Sequence, residues 1–148
     1  MTIQIANPQR LAPIDRRRLR ALCTSLLRQH GKDADLSLCY VDDAAIRRLN
    51  ARFLGRDATT DVLAFPLAGG PAPEGGRLLG EIVVSVETAL AEARRRRIPV
   101  DAEIALYTVH GLLHLLGYDD HEPNQRRRMR RAEKKALSHA KPQIPNAK

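Results

Sequence analysis

Stretches in which apolar and polar residues alternate are followed, along most of the chain, by stretches in which apolar residues recur every three or four positions. The first period is that of a strand with one face buried, the second that of an amphipathic helix. "TIQIAN" alternates as a short strand, and Pro8 and Pro13 punctuate the segment after it. Leu19, Leu22, Leu26 and Leu27 then predict a helix that Asp15 caps and Gly31 ends. "DLSLCYV", from Asp35, predicts a strand with Leu36, Leu38 and Tyr40 on one face. Asp42 or Asp43 caps a short helix whose stripe is Ile46, Leu49 and Phe53.

"TTDVLAFPL" predicts a further strand, closed by Pro66 at a strand end or sheet edge. The glycine- and proline-rich "AGGPAPEGGR" predicts a mobile, hairpin-like connection to the strand "LLGEIVVSV". "ETALAEARRRR" is a helix stopped by Pro99, Asp101 opens the next helix, and Pro123 initiates a basic one, "EPNQRRRMRRAEKKALSHA". This order implies an α+β (mixed α/β) fold in which a single small mixed sheet is covered by helices. Residues 1–140 are expected to form one domain and 141–148 a flexible tail.

Charge changes the picture next. Lys and Arg outnumber Asp and Glu by 25 to 17, a formal net charge of +8, which favours polyanionic partners without choosing among them. Solvated helix faces and a basic tail account for the same excess. Cys23 and Cys39 are the only cysteines, so no disulfide framework is signalled and buried free thiols are expected. The N-terminus lacks the pattern of a signal peptide, and no apolar run approaches the roughly 18 residues of a membrane span, so a soluble, cytoplasmic protein is expected.

"HGLLHLLGYDDH", from His110 to His121, holds three of the five histidines. Residues four apart on a helix lie about 6 Å apart at Cβ on one face, so His110 and His114 can converge on one ion. A continuing helix, rising about 1.5 Å per residue, would carry His121 about 10 Å beyond His114. Gly117 removes that difficulty, because glycine adopts the positive φ that ends a helix and turns the chain back. The stretch therefore predicts a metal clamp of His110, His114 and His121, on a helix of the C-terminal half and its following turn. Zinc (Zn2+, one ion per chain) is the default ion, with nickel or copper as competitors in vitro, and three protein ligands leave a position open, as in catalytic sites. A satisfied core histidine or a pair of surface neighbours is the plain alternative. Gly111 stands where an HExxH peptidase places its glutamate, which argues against that mechanism. Three neutral imidazoles also leave the ion's charge uncompensated and favour an anionic substrate such as a phosphodiester. His30 and His139 are distant in sequence and receive no role.

The same stretch resembles the H-G-x-L-H-L-x-G-Y-D-H signature of the YbeY family of bacterial rRNA-maturation endoribonucleases. "LNARFLGRDATTDVLAFP", from Leu49, resembles that family's upstream block, and "LGEIVVS", from Leu79, its central strand. The resemblance implies a zinc-dependent, single-strand-specific endoribonuclease acting in 16S rRNA 3′-end maturation and ribosome quality control. Its implied partners are single-stranded rRNA, the ribosomal subunit and ribosomal proteins, with no DNA and no membrane. It implies His110 and His114 as metal ligands, His114 counting also as catalytic.

Three departures qualify the carry-over. The extra aspartate puts Asp120 in the register of the family's third histidine and His121 just after it; we take His121 as the ligand, Asp120 as the alternative, and Asp119 as a residue that orients a ligand histidine. Leu54 stands where the family commonly has a phosphate-contacting arginine, so Arg56 is the candidate catalytic arginine and Arg52 the substitute, against a solvated helix-end role for both. Glu81 replaces the usual aspartate of the central strand and is assigned no chemistry. Thr60 and Asp61 match the family's "TD", in a cap or turn role or in substrate contact. Two other functions fit the sequence: a ribosome-assembly RNA-binding protein with a structural metal, and a metal-dependent hydrolase of another substrate.

Overall fold

The chain folds in the order β1 (Ile3–Ala6), α1 (Arg16–Gln29), β2 (Asp35–Val41), α2 (Asp43–Leu54), β3 (Val62–Pro66), β4 (Leu78–Ser85), α3 (Val86–Arg96), α4 (Val100–Leu115) and α5 (Pro123–His139). This computed structural model describes residues 1–67 and 78–139. The connection expected to be mobile, 68–77, and the tail expected over 141–148 lie outside the described residues. Side-chain caps set three of the helix starts: Asp15 accepts from the Arg18 amide (3.1 Å), Asp42 from Ala45 (2.8 Å) and Ser85 from Thr88 (3.1 Å). Each such cap contributes about 1 kcal/mol. α4 has no side-chain cap, and Asp101, expected to open it, sits in its first turn with Glu103, where acidic charge complements the helix dipole.

The strands form one mixed sheet in the order β1-β2-β4-β3. β1, β2 and β4 run parallel, and β3 pairs antiparallel with β4. Parallel neighbours need crossovers, which α1 and the α2–β3 segment supply. Successive side chains of a strand point to opposite faces, and both faces of β2 and β4 are covered. Leu36, Leu38, Tyr40, Ile82 and Val84 pack with α1, α4 and α5, while Val41, Val83 and Leu63 pack with Ile46 of α2 on the other side. That two-sided burial explains why "LLGEIVVSV" is apolar almost without interruption. Cys23 and Cys39 are free; Cys23 is buried, and burial pushes its thiol up to about 12.

Phe53 departs from its expected place. It is 58% exposed, near the end of α2, and its ring meets the sheet only edge-on at Phe65 of the edge strand β3, 5.6 Å between centroids. Asn50 takes the buried position instead, donating to the Ala58 carbonyl at 2.9 Å.

α4 is the central helix and is buried on most of its circumference, leaving His110 and His114 on a half-buried strip. Its closeness to the sheet depends on Gly111, where an added Cβ would lie 2.7 Å from Ile82 Cγ2 and 3.1 Å from Val62 Cγ2. Ile82 is fully buried and its branched side chain has little freedom to yield. Gly111→Val is therefore expected to destabilise the fold by about 2 kcal/mol. Urea unfolding checks this, and an unchanged midpoint would contradict the close approach.

Candidate metal centre

Helical spacing brings His110 and His114 together as expected. Their Nε2 atoms are 3.1 Å apart, with the rings nearly perpendicular at 78°. Gly117, at φ 101°, ends α4. The Gly117 amide returns to the His114 carbonyl and the Tyr118 amide to that of Leu113, each at 3.0 Å, the paired closure that a glycine in this conformation permits. The turn so formed directs Asp120 back toward the helix. Asp120 Oδ2 lies 3.4 Å from His110 Nε2 and 3.5 Å from His114 Nε2.

The donor atoms of His110, His114 and Asp120 all fall within 4.8 Å of one another. His121, expected as the third member, does not join this group. Its side chain is 81% exposed and its Nδ1 is bound to Asp119, whose carboxyl is held below its usual range by the Asp120 amide first and by His121 second. Asp119 thus orients His121 and not one of the paired imidazoles. Asp119, Asp120 and His121 form a second, more exposed group of donors that shares Asp120. One residue of turn geometry separates the two arrangements.

His110 is oriented by a residue the sequence did not reveal. Glu133 of α5, 12% exposed, lies 2.5 Å from His110 Nδ1 through Oε2. A carboxylate only accepts, so Nδ1–H donates and Nε2 keeps the lone pair that a metal requires. The hydrogen bond to Glu133 raises the His110 imidazole above its ordinary value; burial opposes the rise, and the charges of Glu133, Asp120 and Asp61 add to it. The donor set of two imidazoles and a carboxylate, with one tautomer fixed from behind, fits a divalent ion such as zinc. Glu133→Ala is expected to weaken zinc binding about 10- to 100-fold, with Glu133→Gln recovering part of the loss. Competitive titration against a chelating dye measures both, and parent-like affinity in the alanine variant would contradict the role.

A cleft of about 220 Å³ opens beside the group, lined among others by Asp61, Tyr107, Asp120, Arg126 and Arg130. Arg126 donates to the carbonyls of His121 (3.0 Å) and Asp120 (3.4 Å) and so clamps the turn. Arg130 carries no such bond among the described residues. Burial is the main cause that raises the Tyr107 hydroxyl above its ordinary value, helped by its bond to Glu103, so it stays protonated beside the cleft. Arg56 and Arg52 are exposed and do not line the cleft: Arg56 follows Gly55, left-handed at φ 68°, which ends α2, and the Arg52 guanidinium lies over Phe53. Leu54 is 52% exposed. Asp61 lines the cleft while accepting from the Val62 amide (2.8 Å) and the Thr60 hydroxyl (3.3 Å). Glu81 accepts from Ser37 across the sheet at 3.3 Å, away from the cleft. His30 bonds the Tyr118 hydroxyl at 3.1 Å.

Fold and donor set together define a class: a small mixed α/β protein with a metal-competent cleft on its central helix. The family profile described as Endoribonuclease YbeY matches residues 4–141, and the chain belongs to that family. It is 44% identical over 134 residues to the Endoribonuclease YbeY of Anaeromyxobacter sp., covering 90% of this chain and 69% of that protein. The Syntrophus aciditrophicus protein of the same name is 42% identical over 126 residues, covering 84% and 78%. That of Carboxydothermus hydrogenoformans is 36% identical over 138 residues, covering 91% and 94%. The solution structure of TM1509 from Thermotoga maritima shares the fold, with a TM-score of 0.64 at 22% identity, over 99% of this chain and all of that one. The expected mixed sheet covered by helices is the observed one. No helix among the described residues is long and apolar enough to cross a membrane.

Proposed function

We propose that this chain is a metal-dependent endoribonuclease that cuts single-stranded RNA with zinc as its ion, and that it works in 16S rRNA 3′-end maturation and ribosome quality control. The observation that carries the reading is the convergence of His110, His114 and Asp120 at the rim of an arginine-lined cleft, in a member of a family named for endoribonuclease activity. These three residues hold the ion in this proposal, with Asp120 in the place first expected for His121. A bound zinc supplies Lewis acidity toward a phosphoryl oxygen and a water of lowered pKa.

The chain's own residues do the rest. Glu133 holds His110 in the ligating tautomer, and Arg126 holds the turn that presents Asp120. Arg130, which lines the cleft where Arg56 does not, takes the phosphate contact, its planar guanidinium matching two phosphate oxygens. A carboxylate ligand leaves the site less cationic than three imidazoles would, and α5 restores the positive field. Gly111, pressed on Ile82 and Val62, leaves no room for the glutamate of an HExxH peptidase. With three Tyr, two Phe and no Trp, base stacking is limited and sequence reading is weak. The ribosomal subunit and its proteins then select the cut.

The test is purified protein acting on an unstructured RNA carrying a 16S 3′ end. Cleavage that chelator stops and zinc restores supports the reading. RNA binding without cleavage under all divalent ions would overturn it in favour of an assembly factor.

A further inference from the structure

α1 turns Leu19, Leu22, Cys23, Leu26 and Leu27 inward. Its outer stripe, at the same helical period, presents Arg17, Arg20, Thr24, Ser25 and Arg28, whose side chains bound an open trough of about 750 Å³. The stripe shares no residue with the metal cleft.

Its charges sit unevenly on the helix dipole, unfavourably in the first turn and favourably at Arg28 in the last. Arg16, Arg17 and Arg18 fill the first turn, at the positive end of the helix dipole, where the N-cap carboxylate of Asp15 offsets them only in part. Arg17 and Arg20 are like charges three apart on one face. Three arginines of other elements pair with carboxylates: Arg47 with Asp57, Arg95 with Glu92 and Arg96 with Glu103. Among the described residues no carboxylate forms a salt bridge with Arg17, Arg20 or Arg28. Two arginines of the helix have a structural task, since Arg16 donates to the Ile5 carbonyl (3.0 Å) and Arg20 to that of Ile3 (3.3 Å) on the edge strand β1. Arg17 and Arg28 have none. Arg17 and Arg28 are thus exposed guanidinium groups with no hydrogen-bond or carboxylate partner among the described residues, open to an anion.

The stripe also leads toward the metal centre. At the end of α1, His30 binds both the Leu26 carbonyl (2.9 Å) and the hydroxyl of Tyr118, whose ring carries the Arg128 guanidinium at 4.9 Å. From that junction, Arg28 to Arg17 runs about 16 Å along the helix axis.

On the reading that the substrate is RNA, we propose that the outer stripe of α1 is a second binding surface for the phosphate backbone, engaging the strand beyond the nucleotides held at the metal cleft. Guanidinium groups pair with phosphate oxygens, and the hydroxyls of Thr24 and Ser25 add donors. The stripe has no aromatic side chain, so it positions RNA without reading bases.

The test is fluorescence anisotropy of the full chain with labelled U8 and U30, in chelator so that the RNA is not consumed, comparing parent and R17E/R28E. U30 binding is expected to weaken about tenfold, U8 binding to stay within twofold, and the slope of log affinity on log salt for U30 to fall by about 1.4, the value for two phosphates of a single strand. Both side chains are exposed; should the reversal impair folding, R17Q/R28Q gives the same pattern at smaller amplitude. Parent-like U30 binding, or equal losses on U8 and U30, would overturn the proposal. So would unchanged U30 binding with lost co-sedimentation on ribosomal subunits, which would make the surface a protein contact. Failure of the nuclease reading appears separately, as absence of cleavage by the parent.

Discussion

Replacing His114 with alanine is expected to abolish RNA cleavage, by about a thousandfold or more, while leaving the fold intact. The side chain is 31% exposed, beside His110 on the half-buried strip of α4, so its loss opens no core cavity. Its Nε2 is one of three donors, and two donors hold an ion far less firmly than three. A catalytic metal contributes several kcal/mol to a hydrolytic transition state, and each 1.36 kcal/mol is tenfold in rate. Urea unfolding of the metal-free variant is expected to match the metal-free parent within about 0.5 kcal/mol, the usual range for a surface change. Residual cleavage above about a tenth of the parent rate would place the chemistry elsewhere.

The second large effect separates two adjacent residues. Asp120→Ala is expected to lower zinc affinity by about 100-fold or more, at least as much as losing an orienting partner would. His121→Ala is expected to leave it unchanged. The contrast comes from the turn: Asp120 Oδ2 faces both imidazoles, whereas His121 is solvent-facing with Nδ1 engaged by Asp119. Measured zinc affinities in the reverse order would show that the turn rearranges on metal binding and that the imidazole replaces the carboxylate.

Much of this molecule is legible along the chain because its determinants are local. Asp15, Asp42 and Gly117 act on backbone groups within a few residues of themselves, and the four-residue spacing of His110 and His114 survives in any α-helix. The mixed sheet is implied by the order of the elements. The features that could not be read depend on which surfaces meet. Phe53 continues the period of Ile46 and Leu49, but it meets only the edge strand, at Phe65, and stays more than half exposed. The third donor depends on the path of a single turn. Glu133 lies in a run that reads as a solvated basic helix, yet its place was signalled: with Met129 and Ala136, both buried, it falls on the apolar stripe of α5. An acid on such a stripe needs a buried partner, and His110 is that partner. Arg56 lies within the family block, yet it is exposed just past the left-handed Gly55 that ends α2 and does not line the cleft.

Diffraction from the zinc-loaded chain at the metal's absorption edge tests the central claim most directly. A single anomalous peak is expected about 2.0–2.2 Å from His110 Nε2, His114 Nε2 and a carboxylate oxygen of Asp120, with one coordination position facing the arginine-lined cleft. A peak bound by His121 in place of Asp120, or no peak between the two helical imidazoles, would contradict it.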